Sequence, residues 1–115
     1  MRTTIAFFLL VFFVGSVNAQ PSDDIPRPHP LKGEVLDENG TPIPFATIVI
    51  YKAGETDIHT GDATDVDGKF RIMLEEGIYD MEITFLSYEK KFIEDIKIDK
   101  SGLNMGTIKM SPNVT

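Results

Sequence analysis

Apolar residues in this chain occur in short runs that alternate with polar ones, a pattern that predicts β-strands. From residue 31 onward, runs rich in β-branched and aromatic residues are separated by Gly, Asp, Asn and Pro at intervals of roughly ten residues. No segment has a helical periodicity of comparable quality. The pattern predicts seven strands, at residues 31–36, 45–52, 58–64, 69–74, 78–86, 88–98 and 105–110.

Seven short strands predict an all-β fold, an antiparallel-rich Greek-key sandwich of two sheets around one core. Side chains alternate across a strand, so the residues of one parity should share the core face. In the fifth strand this predicts a core face of Tyr79, Met81, Ile83 and Phe85, with Asp80, Glu82 and Thr84 outside. The same alternation assigns further core positions to Leu31, Gly33, Val35, Ala46, Ile48, Ile50, Phe70, Ile72 and Leu74.

Turn residues support this division of the chain. Residues 37–40 and 65–68 both end in a glycine, which can take the positive φ that tight turns require. Pro42 and Pro44 cannot donate to a strand ladder, so the second strand is expected to begin near Phe45.

The first residues have the features of a signal peptide. Arg2 precedes an apolar run at residues 5–14 that is too short to span a bilayer, and Val17 and Ala19 stand where a signal peptidase reads, before Gln20. We therefore predict a signal peptide at 1–19, with a retained membrane anchor as the alternative. A proline-rich linker at 20–30, the sandwich at 31–110 and a polar tail at 111–115 complete the predicted organisation. An exported protein of this kind would be periplasmic, outer-membrane-associated or extracellular.

Composition narrows the candidate functions. The 115 residues include no cysteine, which excludes disulfides, thiol catalysis, thiolate metal sites and a lipid-anchored cysteine. There are 11 basic and 18 acidic residues, a net charge of −7 that becomes −8 when Arg2 is lost. Nucleic acid and anionic lipid are therefore not expected as partners, and the acidity is typical of a soluble exported domain.

The sequence does not predict an active site or a cofactor. His29 falls in the predicted linker, and His59 lacks a second histidine or an acid at a spacing that would put both on one face. Ser87 and Ser101 lack the Gly-x-Ser-x-Gly context of a serine nucleophile. We therefore predict that the chain is not an enzyme.

Two alternatives with specific chemistry are a calcium site and an intramolecular crosslink. Asp65 and Asp67, with Asp62 nearby, could direct oxygen ligands at a calcium ion. A helix-loop-helix calcium site also needs a glutamate at the twelfth position of its loop. Counted from Asp65 that position is acidic, but a predicted strand lies before it, so a simple turn is favoured. A Lys–Asn isopeptide crosslink would need Lys32 and Asn104 buried beside a protonated Glu82. Alternation turns Lys32 and Glu82 towards solvent, which argues against the crosslink.

Several outward-facing positions are more apolar than solubility requires. These residues predict a surface for protein interaction unless the domain itself covers them: Leu36, Val49, Tyr51 and Phe92. A module that binds a small ligand or a glycan is the alternative. The chain has no Trp, so aromatic stacking of a sugar is weakly supported.

The order of these pieces resembles a known family. The resemblance rests on the segments KGEVLD (32–37), NG (39–40), PIPFATI (42–48), TDVDGKF (64–70) and FLSY (85–88). Together they resemble the carboxypeptidase regulatory-like domain. The resemblance covers residues 31–110 and departs at Ser87, where the family usually has glycine.

This resemblance implies a seven-stranded prealbumin-like sandwich. It also implies a non-catalytic accessory module of the kind found beside peptidase domains or at the amino terminus of TonB-dependent outer-membrane receptors. The sequence shows neither neighbour, so we expect a stand-alone module. We expect its partner to be an envelope or outer-membrane protein, with no transmembrane segment left after signal cleavage.

Overall fold

The computed structural model describes residues 27–113, and these form seven strands. The predicted signal peptide, most of the predicted linker and the last two residues of the tail lie outside the described residues. No helix in the described range is both long and apolar enough to cross a membrane. The strands are β1 His29–Leu36, β2 Thr47–Lys52, β3 Ile58–Ala63, β4 Lys69–Leu74, β5 Gly77–Thr84, β6 Lys91–Ile98 and β7 Leu103–Lys109.

The strands form two sheets. The three-stranded sheet has the order β4-β1-β7, and the four-stranded sheet has the order β3-β2-β5-β6. All neighbouring pairs are antiparallel except β1 and β7, which are parallel. Because β1 and β2 lie in different sheets, the chain crosses between layers, and the predicted all-β sandwich is confirmed.

The core lies between the two sheets and follows the predicted alternation. Along β4, Phe70, Ile72 and Leu74 are buried while the residues between them are exposed. A Cβ on Gly33 would meet the Phe70 ring at 2.5 Å, so the glycine makes room for the aromatic side chain. The other buried apolar residues are Leu31, Val35, Ile43, Ala46, Ile48, Ile50, Tyr79, Met81, Ile83, Ile96, Ile98, Ile108 and Met110.

The loops explain where predicted and observed strand ends differ. Phe45 has a φ of 63°, a left-handed conformation outside the β region, and β2 begins at Thr47 rather than at Phe45. Tyr88 belongs to a turn and bridges Pro112, and β6 consequently begins at Lys91. Ser87 adopts a φ of 72°, which explains why glycine suits that position.

Candidate interaction surfaces

Three of the four predicted surface residues lie together on the outer side of the four-stranded sheet. In the register, Val49 on β2 faces Glu82 on β5, and Glu82 in turn faces Phe92 on β6. The ring centroids of Tyr51 and Phe92 are 6.5 Å apart, a tilted aromatic contact. We call Val49, Tyr51, Phe92 and the adjoining Ile58 the aromatic face.

The aromatic face is open to solvent. Phe92 is 50% exposed and Ile58 is 66% exposed, whereas Val49 and Tyr51 are half-buried by their neighbours. Ile58 is the register partner of Tyr51 across an irregularity between β2 and β3. Sequence reasoning missed Ile58, although an apolar residue at the start of an otherwise polar strand was an available signal.

A small polar network lies within this face. The Tyr51 hydroxyl donates to Glu82 Oε1 at 3.4 Å, and Lys90 Nζ is 3.7 Å from Glu82 Oε2. Burial raises the pKa of Tyr51 above its usual value, and the charge and hydrogen bond of Glu82 raise it further. The phenol therefore stays a neutral donor, and the face combines aromatic area with polar groups, as protein interfaces do.

Leu36, the fourth predicted surface residue, lies on the other sheet. It pairs with Lys109 of β7 and forms a bridge with Pro42. Its outward neighbours are charged rather than aromatic. The structure thus divides the predicted surface between the two sheets.

The outer side of the three-stranded sheet is basic, which sequence reasoning did not predict. Lys32 faces Arg71 across β1 and β4, and Lys69 faces Glu34. We call Lys32, Lys69, Arg71 and Lys109 the basic face. A shallow depression of about 690 Å³ covers part of it, and the polar residues that line it from the strands of this sheet are Lys32, Glu34, Lys69, Arg71, Asn104 and Thr107. The sequence signal for this basic face was the pair of cations at alternate positions, 69 and 71.

The candidate calcium ligands are used as turn and loop acceptors. Asp65 Oδ1 accepts the backbone N–H groups of Asp67 at 2.8 Å and Lys69 at 2.9 Å, and Asp62 Oδ1 accepts the N–H of Ala63. No three histidine or carboxylate groups between residues 27 and 113 are placed to hold a metal ion. Calcium binding at this turn stays a prediction, and the contacts favour a structural role.

The two histidines lie in different surroundings. His29 belongs to β1 rather than to a linker, and its Nε2 is 3.7 Å from Glu76 Oε2. The His59 ring packs against Tyr79, with 5.6 Å between centroids. These contacts account for both side chains without an acid–base pair between them.

The positions of Lys32, Asn104 and Glu82 argue against the Lys–Asn isopeptide crosslink. Lys32 and Asn104 are direct register partners on β1 and β7, and both are exposed. Glu82 belongs to the other sheet, on its outer side. The three groups that the reaction needs are therefore not brought together in a buried site.

A carboxylate that faces outward on β5 is nevertheless buried. Asp80 is only 6% exposed because two neighbouring segments cover it. Its Oδ2 accepts the N–H of Gly54 and its Oδ1 accepts the N–H of Asp95, both at 3.1 Å. Asp95 has a φ of 59° and interrupts the β5–β6 register, so Asp80 ties this bulge to the β2–β3 loop.

Comparison with known proteins identifies both a family and a fold. The family model of the carboxypeptidase regulatory-like domain matches residues 30–111. Among solved structures, the TIE protein of Bacillus anthracis has a TM-score of 0.61 at 18% identity, over 74% of this chain and 17% of that one. No significant match was found among curated protein sequences.

Two pilus proteins are also similar in structure. The major pilin subunit of Bacillus cereus has a TM-score of 0.53 at 20% identity, covering 72% of this chain and 28% of that one. The pilus 2b backbone protein of group B streptococcus has a TM-score of 0.53 at 18% identity, with 83% and 47% covered. The chain spans less than half the length of each, and the likeness concerns the β-sandwich fold.

Proposed function

The chain belongs to the carboxypeptidase regulatory-like domain family, and from this premise we propose that it is a non-catalytic exported module that binds another protein of the cell envelope. The aromatic face is the proposed contact surface. The observation that carries the proposal is the exposed ring contact between Tyr51 and Phe92.

An open aromatic pair on a rigid sheet suits protein recognition. Aromatic side chains supply large contact area with few rotatable bonds, and they are enriched among the anchors of interfaces. Glu82 and Lys90 beside the pair provide a polar group of each sign that can align a partner. A fold held together by two packed sheets keeps these groups in place before binding, which lowers the entropy cost of association.

Proteins of similar structure and the amino-terminal sequence both support a location in the cell envelope. A major pilin subunit and a pilus backbone protein share the fold, so the same sandwich occurs in subunits of bacterial pili. The predicted signal peptide at residues 1–19 provides the route of export. A structural or interaction role in the envelope is consistent with both observations.

Site-specific photocrosslinking tests the proposal. A photoreactive phenylalanine analogue at position 92 should give one dominant protein adduct in the envelope of expressing cells. The same analogue at Met73, which is 44% exposed on the other sheet, should not give that adduct. After identification by mass spectrometry, the partner should bind the purified protein, and Tyr51→Ala with Phe92→Ala should weaken binding at least about tenfold.

Two results would contradict this function. Equal adducts from positions 92 and 73 would mean that contact is not specific to the aromatic face. Binding of the purified protein to a soluble glycan or to calcium, without any protein partner, would favour a ligand-binding module instead.

A further inference from the structure

Charge is segregated on this molecule in a way that the proposed function does not use. The chain has 11 basic and 18 acidic residues, and Arg2, Asp23 and Asp24 lie outside residues 27–113. Residues 27–113 therefore contain ten basic and 16 acidic residues. The outer side of the three-stranded sheet holds four of those ten cations and one carboxylate, Glu34. Six cations and 15 carboxylates remain elsewhere, so an acidic protein maintains one basic face.

The cations of the basic face are free to bind. Within the described part of the chain, the contacts within 4.0 Å between basic nitrogens and carboxylate oxygens join His29 to Glu76 and Lys90 to Glu82, and neither involves this face. Glu34 lies opposite Lys69 in the register, but no carboxylate oxygen of Glu34 is within 4.0 Å of Lys69 Nζ. All four cationic side chains are exposed.

The spacing of these cations matches an extended polypeptide. Lys69 and Arg71 alternate along β4, so their side chains leave the sheet about 7 Å apart. Lys32 lies beside Arg71 on the adjacent strand and widens the row. An extended peptide with a carboxylate at every second residue has the same repeat of about 7 Å. We infer that the basic face binds an extended acidic segment of another protein, with carboxylates on alternate residues.

The depression over this face offers hydrogen bonds beside the charges. Asn104 Oδ1 accepts the N–H of Gly106 at 2.9 Å, which leaves the amide nitrogen of Asn104 as a donor. Thr107 adds a hydroxyl next to Glu34. Asp62 and Asp65 line the opposite margin, and an oxygen of Asp65 already accepts two backbone N–H groups. These acids repel a carboxylate ligand, so the segment should lie over β4 and β1 and towards β7.

Designed peptides test this inference. Binding of a fluorescent peptide of alternating Ser and Glu to the purified protein is measured by anisotropy at low salt. It should bind at least about fivefold more tightly than a peptide of the same composition with its Glu residues in one block. An alternating Ser and Gln peptide should not bind, and added salt should weaken the Ser–Glu complex.

Two double variants with the same change in net charge separate local from overall electrostatics. Lys32→Glu with Arg71→Glu should lose at least about tenfold in affinity for the Ser–Glu peptide. Lys97→Glu with Lys100→Glu, on β6 and the following loop, should stay within about twofold of the unmodified protein. Lys32→Gln with Arg71→Gln provides a milder variant, and unchanged circular dichroism confirms that each variant folds.

Three outcomes would overturn the inference. Equal losses in the two charge-reversal variants would show that only net charge matters. Tighter binding of polygalacturonate than of the Ser–Glu peptide would assign the face to an anionic glycan. Self-association that sediments as a dimer and disappears with Arg71→Glu would assign it to a second copy. None of these results depends on the aromatic face, so failure here is distinct from failure of the proposed function.

Discussion

The outer faces of the two sheets are both formed by the outward-pointing residues of adjacent strands, but they carry different kinds of side chain. The four-stranded sheet presents Tyr51 and Phe92 in ring contact around one Glu–Lys pair. The three-stranded sheet presents cations with a single carboxylate among them. Their inner faces, in contrast, are both filled with aliphatic and aromatic side chains that form one core.

This difference shows which parts of a sandwich the fold constrains. Inner positions must fill a shared volume at close packing, so both sheets contribute similar residues there. Outer positions face water and are not constrained by packing, so their residue types can differ between the sheets. Here one sheet carries aromatic residues on its outer side and the other carries cations. A small domain can thus present two chemically distinct surfaces, one with exposed aromatic rings and one with exposed cations.

The largest expected effect concerns the carboxylate buried beneath the outer side of the four-stranded sheet. Asp80→Ala would leave the N–H groups of Gly54 and Asp95 without their acceptors. We expect the free energy of unfolding in urea to fall by about 2–4 kcal/mol. Glu34→Ala on the basic face, which breaks no such contact, should change it by less than about 0.5 kcal/mol. A loss below about 1 kcal/mol for Asp80→Ala would mean that water replaces the carboxylate.

A second substitution tests the packing of Gly33 against Phe70 in the three-stranded sheet. In Gly33→Ala the new Cβ would meet the Phe70 ring, so overpacking should destabilise the protein by about 1–3 kcal/mol. Gly106→Ala on the neighbouring strand meets nothing within 4 Å but has a φ of 73°, and strain alone should cost about 1–2 kcal/mol. Adding Phe70→Leu should recover part of the loss in Gly33→Ala and none of the loss in Gly106→Ala. Equal behaviour of the two glycines would disprove the packing explanation.

A smaller effect distinguishes an open aromatic face from one covered by the domain itself. Phe92→Ala should lower the free energy of unfolding by less than about 1 kcal/mol, because half of the side chain already faces solvent. Met73→Ala on the opposite sheet is the matched control and should behave similarly. A loss above about 2 kcal/mol for Phe92→Ala alone would place that ring in the core.

Period-two alternation predicted the all-β fold and part of the core, although Phe85, which it assigned to the core, is only partly buried. The apolar residues at positions 31 and 35, 46 to 50, 70 to 74 and 79 to 83 that alternation assigned to the core are buried. Glycines at 40 and 68 have the positive φ that their turns require. These features depend on local chemistry, so a sequence alone reveals them.

Features that depend on contacts between distant segments were not predictable. Asp80 has an outward parity, yet the β2–β3 loop and the Asp95 bulge bury it. The basic face arises because β1, β4 and β7 become neighbours, although they are separated along the chain. Leu36 was grouped with Val49 and Phe92 because alternation shows which side of a strand is outward but not which sheet the strand joins.

The smallest effect is a titration that only the aromatic face should show. The pKa of Tyr51 is raised above the ordinary 10.0 by burial and then by Glu82, so Glu82→Gln should lower it towards that value. A tyrosine that holds its proton more tightly when folded stabilises the protein below about pH 10, and this contribution is lost as pH rises through the folded pKa. Ultraviolet absorbance during alkaline titration measures the change. Tyr79 and Tyr88, whose pKa values are raised by burial and by other carboxylates, provide internal controls that Glu82→Gln should leave unchanged.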